Sequence, residues 1–110
     1  PMLQATMKVT FFDKQGTSIA DWPGYDATRI LRPAFNLGGQ LFSGSITSSE
    51  SMYYWNQPYI VHVDFFTIDT AEVYQLVKEQ LVTGRTYPIH IGQKIIGQAE
   101  LLTFTYNNPG

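Results

Sequence analysis

The sequence predicts an all-β protein, mainly antiparallel, folded as a small closed β-barrel of six or seven strands with one short helix or helical turn. Three observations carry this. Apolar and polar residues alternate with period two in several stretches, as they do where one face of a strand is buried. The stretches are short and are separated by Gly, Pro, Asn and Asp signals, the spacing of sandwiches and barrels. Finally, 110 residues are few for two well-formed sheets, whereas closing a single sheet removes its exposed edges.

Leu3, Ala5, Met7, Val9 and Phe11 alternate with Gln4, Thr6, Lys8, Thr10 and Phe12, the cleanest strand pattern in the chain. Asp13-Lys14-Gln15-Gly16 reads as the turn that ends it. Asp21-Trp22-Pro23-Gly24 is a second turn, because Pro23 cannot donate to a ladder. Residues 29–37 form a short extended segment that Pro33 interrupts, as suits an edge or a bend. Gly38-Gly39 leads into residues 41–46, and Ser48-Ser49-Glu50-Ser51 is a polar loop. Met52-Tyr53-Tyr54-Trp55 follows and is broken off by Asn56-Gln57-Pro58. Tyr59, Val61, Val63 and Phe65 then alternate with Ile60, His62, Asp64 and Phe66 as a central strand.

Asp69 or Thr70 is the expected N-cap of the helix. Val73, Leu76, Val77 and Leu81 recur at helical spacing, with Gly84 as the expected stop. A hairpin comes last. Tyr87, Ile89 and Ile91 are expected to share an apolar face. A tight turn at Gly92-Gln93 or Gln93-Lys94 joins them to a strand in which Ile95, Gly97, Ala99 and Leu101 alternate with Ile96, Gln98, Glu100 and Leu102. That strand should end near Tyr106, with residues 107–110 frayed.

Composition narrows the function classes. Hydrophobic residues make up 44% and charged residues 15%, a balance that buries a core and argues against intrinsic disorder. The length suits one domain over residues 1–110, with Pro1 ahead of Met2 reading as the remnant of an expression tag. There is no cysteine, which removes disulfides and thiolate metal sites. The net charge of −2 gives no general attraction to phosphate backbones, so RNA is the less favoured partner. No apolar run approaches the roughly twenty residues needed to cross a bilayer, so no membrane association is expected. The expected compartment is the cytoplasm, and the oligomeric state stays open.

Few residues look chemical. His62 and Asp64 share one strand face, a spacing that suits two metal ligands or an acid–base couple. No third ligand is legible, and the plainer expectation is an outer-face pair bonded to neighbours or water. With Arg85 they form the alternative polar site, the one expected if the barrel holds a small molecule. Ser43-Gly44-Ser45 lacks the frame and context of a nucleophile elbow. Glu72 and Glu79 lie on one side of the helix and read as a solvated face. No catalytic residue, metal or cofactor is expected. The aromatic run Tyr53, Tyr54 and Trp55 has two readings: anchors for a partner, or a plug for one end of the barrel. Trp22, Tyr25 and Arg32 are the other candidates for that surface.

Two blocks carry a family resemblance. Arg32-Pro33-Ala34-Phe35-Asn36, with Leu41-Phe42-Ser43-Gly44-Ser45-Ile46, resembles the early part of the third, carboxyl-terminal barrel of elongation factor Tu. Residues 59–102 resemble its closing strands, with Gln93-Lys94-Ile95-Ile96-Gly97-Gln98-Ala99 matching a polar turn and a Val/Ile-Gly-x-Gly/Ala pattern. The resemblance covers about three quarters of the chain in the same order. It implies a barrel. Of the family's basic surface that helps hold aminoacyl-tRNA, it carries over only Arg32. No phosphate loop is present, so the chain is no GTPase on its own. The expected function is that of a stand-alone, non-catalytic barrel that binds a macromolecule, a protein before an RNA. An immunity or antitoxin role is one concrete form, and a small-molecule or enzymatic barrel is the alternative.

Overall fold

A computed structural model describes residues 2–13 and 23–107. The expected turns at 13–16 and 21–24 therefore fall largely outside the described residues, as does Trp22. Nine strands appear in chain order: β1 (Met2–Phe11), β2 (Gly24–Asp26), β3 (Ala34–Asn36), β4 (Leu41–Ser43), β5 (Ser45–Thr47), β6 (Met52–Tyr54), β7 (Pro58–Phe65), β8 (Thr86–Ile91) and β9 (Lys94–Asn107). Seven of them form one antiparallel sheet in the order β4-β3-β8-β9-β1-β7-β5. β2 and β6 pair separately.

The expected small antiparallel barrel is present as a nearly closed, barrel-like sheet of seven strands. The two strands at its ends, β4 and β5, are separated in the chain by Gly44 alone. β4 pairs with β3 and β5 pairs with β7, so one bent run of chain joins both flanks. Two backbone bonds continue the seam: Gly44 N–H donates to the Pro33 carbonyl at 3.0 Å, and Ile46 N–H to the Leu31 carbonyl at 2.9 Å. The bend requires glycine. A Cβ on Gly44 would lie 2.6 Å from Val63 Cγ1 and 2.7 Å from Phe35 Cε1.

The inward alternation places Leu3, Ala5, Met7, Val9 and Phe11 of β1 in the core with Val61, Val63 and Phe65 of β7. Phe35 of β3 and Ile89 of β8 meet them from the other wall, and Phe35 packs edge-on to Phe65 with centroids 5.2 Å apart. Among the described residues, no polar or charged side chain is buried. The interior is thus filled by apolar side chains, as in other small barrels.

Two bulges change the reading of β9. The β8–β9 register shifts between Ile89 and His90, where Gly97 faces Ile89 and Ile95 faces His90. Ile96 is the extra residue, and it turns into the core. The simple alternation expected here therefore fails at its start. Ile95 and Ile91, assigned to the apolar face, are 53% and 48% exposed. The second shift sets Thr6 opposite Thr103 and Met7 opposite Leu101, skipping Leu102. Of the two possible turns, Gly92-Gln93 joins the strands, with Gly92 at φ +60°. Asn107, expected to fray, instead pairs with Met2.

The helix α1 (Ala71–Val77) tightens into a 3-10 turn over Lys78–Gln80. Thr70 is its N-cap, accepting from Val73 N–H at 3.2 Å. Val77 and Leu81 are buried, but Leu76 is exposed, so the apolar stripe is narrower than its spacing suggests. Gly84 (φ +92°) lies in a later turn and does not stop the helix.

Candidate functional site

One end of the barrel is closed by aromatic rings. Phe11 ends β1, and its ring meets Tyr25 at 5.7 Å and Tyr53 at 5.2 Å. Tyr53 also meets Tyr59 at 5.2 Å, and Tyr25 meets Trp55 at 4.8 Å. The short β2–β6 ribbon supplies Tyr25 and Tyr53 to this cluster, because Tyr25 and Tyr53 are opposed in its register. Gly24 lets the ribbon close: a Cβ there would fall 2.0 Å from the Tyr53 carbonyl oxygen. Burial pushes the Tyr25 hydroxyl pKa up, against the pull of Lys94.

The partner candidates therefore separate by burial. Tyr53 (2% exposed) and Tyr25 are core residues of the plug. Trp55 is half-buried against them, and Tyr54 is 49% exposed. The aromatic run divides: Tyr53 plugs, and Tyr54 faces outward. The Tyr54 N–H is tied to the Tyr59 hydroxyl at 3.0 Å, which fixes the direction of the outward residue.

A groove of about 330 Å³ opens beside the plug. Its lining is apolar at Ala27, Leu31, Ile46 and Tyr53 and polar at Thr28, Thr47, Ser48 and Glu50. Ser48 Oγ and the Tyr53 hydroxyl share a hydrogen bond of 2.5 Å. Ser48 Oγ also accepts from Glu50 N–H at 3.2 Å. Across the groove, Asp26 caps a 3-10 turn over Ala27–Arg29. It accepts from the Thr28 hydroxyl at 2.7 Å and from Thr28 N–H at 2.9 Å. These bonds, the hydroxyl's first, hold the Asp26 carboxyl below its ordinary range. The sequence showed residues 48–51 only as a polar loop, since what a loop lies against is set by strands far from it in the chain.

His62 and Asp64 do form a pair, with His62 Nε2 3.0 Å from Asp64 Oδ1. Gln4 donates to the same oxygen at 3.2 Å, across the Gln4–Asp64 register of β1 and β7. All three lie on the outer face. Arg85 does not join them. It precedes β8, and two strands, β9 and β1, separate β8 from β7 in the sheet. Its guanidinium donates instead to the Gln80 carbonyl at 3.3 Å. The residue that does reach this side is Arg32. The bonds of Leu31 and Pro33 to Ile46 and Gly44 set it across from Ser45, which pairs with Asp64. Its guanidinium lies over the Phe66 ring, 5.5 Å from the centroid.

Among the described residues, no three His, Asp or Glu side chains gather as a metal site, and no helix is long and apolar enough to cross a membrane. No protein-family model matches the sequence, and a search of the curated proteins returns no match.

Proposed function

We propose that this chain is a non-catalytic binding module that receives a protein partner on its outer surface. The observation that carries the reading is the packed interior. Apolar side chains from every wall fill the space that a ligand-holding barrel leaves open. Recognition then falls to the exterior, where Tyr54, Leu31, Ile60 and Phe66 are large, apolar and exposed. Tyr54 and the half-buried Trp55 supply contact area at low entropic cost, and Arg32 adds a cation held over a ring.

The resemblance to the third barrel of elongation factor Tu gives this reading one concrete form. A barrel that imitates a translation factor's surface acts as a decoy or shield, as an immunity protein or antitoxin does. Affinity capture of the tagged protein with mass spectrometry tests the proposal. The expected result is a stoichiometric protein partner whose retention falls at least about tenfold on Tyr54→Ala, the loss typical of an interface anchor. Capture of no macromolecule across a range of salt would count against it. Capture of RNA that weakens steeply with salt would redirect it to phosphate recognition.

A further inference from the structure

We propose that the groove beside the aromatic plug receives a lysine side chain of the protein partner. The inference rests on the protein-binding reading and specifies its chemistry. Among the described residues, Glu50 is the one charged residue that lines the groove, and none of them gives its carboxylate an ion-pair partner. The rim around it is rich in acceptors. The Thr28 hydroxyl has committed its proton to Asp26, so toward a further partner it is an acceptor only. An ammonium carries three donors and no acceptor, the complement of such a rim. Ala27, Leu31 and Ile46 add aliphatic surface to the same lining, which suits the methylene stem that carries the charge.

The backbone that carries the acid is also held in place. Glu50 N–H is bonded to Ser48 Oγ, and Ser48 to the hydroxyl of Tyr53, whose ring is locked in the core between Phe11 and Tyr59. A loop fixed in this way gives up little freedom on binding. Arg29, next to Thr28 in the chain, lines a separate groove with Pro23, Gly24, Asp26 and Met52.

The test is an NMR titration of the labelled protein with acetyl-Leu-Lys-Leu-amide and with the norleucine and glutamate versions of the same peptide. The lysine peptide should give saturable shifts at Thr28, Thr47, Ser48 and Glu50. Its affinity should fall at least about tenfold on Glu50→Gln, as expected for loss of a charge-assisted bond. The norleucine and glutamate peptides should bind weakly or not at all. Equal responses to the three peptides, shifts confined to other residues, or unchanged affinity in Glu50→Gln would each overturn the proposal. So would n-butylammonium binding as tightly as the lysine peptide, which would mark a free-amine site. A captured partner that the wild type and Glu50→Gln retain equally would remove the lysine contact and leave the protein-binding reading standing.

Discussion

The two walls of the barrel are built differently. One wall is β9–β1–β7, whose strands run for 14, 10 and 8 residues in long, mutually registered ladders. The other is β3, β4 and β5, three residues each, interrupted by Pro33 and Gly44. The long wall is held by many repeated cross-strand contacts, so no single residue decides its course. The short wall depends on individual residues that fit one place. Ile46 and Thr47 of that wall, with the segment that follows, line the groove, while the long wall carries a smaller one of about 150 Å³ beside Gln4, Thr6, His62 and Thr103.

Removal of a buried ring tests whether the walls share one core. Phe35→Ala in the short wall and Phe65→Ala in the long wall should each cost about 3–5 kcal/mol in denaturant melts. The double variant should cost less than the sum, since the rings touch edge-on. Additive losses would show two independently packed walls. The bulge of β9 offers a sharper contrast between neighbours. Ile96→Ala should destabilise by about 2–5 kcal/mol, whereas Ile95→Ala should change stability by less than about 0.5 kcal/mol. Reversal of that order would place the bulge elsewhere.

Gly44→Ala probes the seam directly. The added methyl meets Val63 and Phe35 in the packed interior, and a loss of about 1–3 kcal/mol is expected. The smallest effect belongs to the surface turn. The Asp26 pKa is lowered on folding, so its contribution is fully present above the ordinary carboxylate value of 3.8. That contribution is lost as pH falls through the lower folded value. Asp26→Asn should therefore melt below wild type at neutral pH and converge with it in strong acid. A gap that persists in acid would assign the effect to something other than the ionised cap.

The β1 and β7 strands of the long wall were legible in the sequence because alternation there is unbroken: the odd-numbered residues of 3–11 and 59–65 face inward as their period requires. The helix cap was legible for a similar reason, since Thr70 acts within its own turn. The bulge at Ile96 was hidden because two adjacent isoleucines satisfy either phase, and the partner strand chooses between them. The candidate site was legible in part. His62 and Asp64 stand two apart on one strand, so their pairing follows from local geometry. Gln4 and Arg32 reach that face only through strand register and the bend at Gly44. Tyr53 and Tyr54 are chemically alike, and only the β2–β6 pairing decides which turns inward.

The bend at Gly44 also defines where the cylinder is vulnerable to being reopened. A circular permutant cut at this residue, with the original ends joined by a linker, would keep every long ladder yet leave the β4 and β5 ends untethered. With only the backbone bonds from Leu31 and Pro33 left across the seam, the two ends would part more readily, and bare strand margins recruit other chains. The single residue that lets the chain pass from one end strand to the other thus also shortens the edge the sheet exposes.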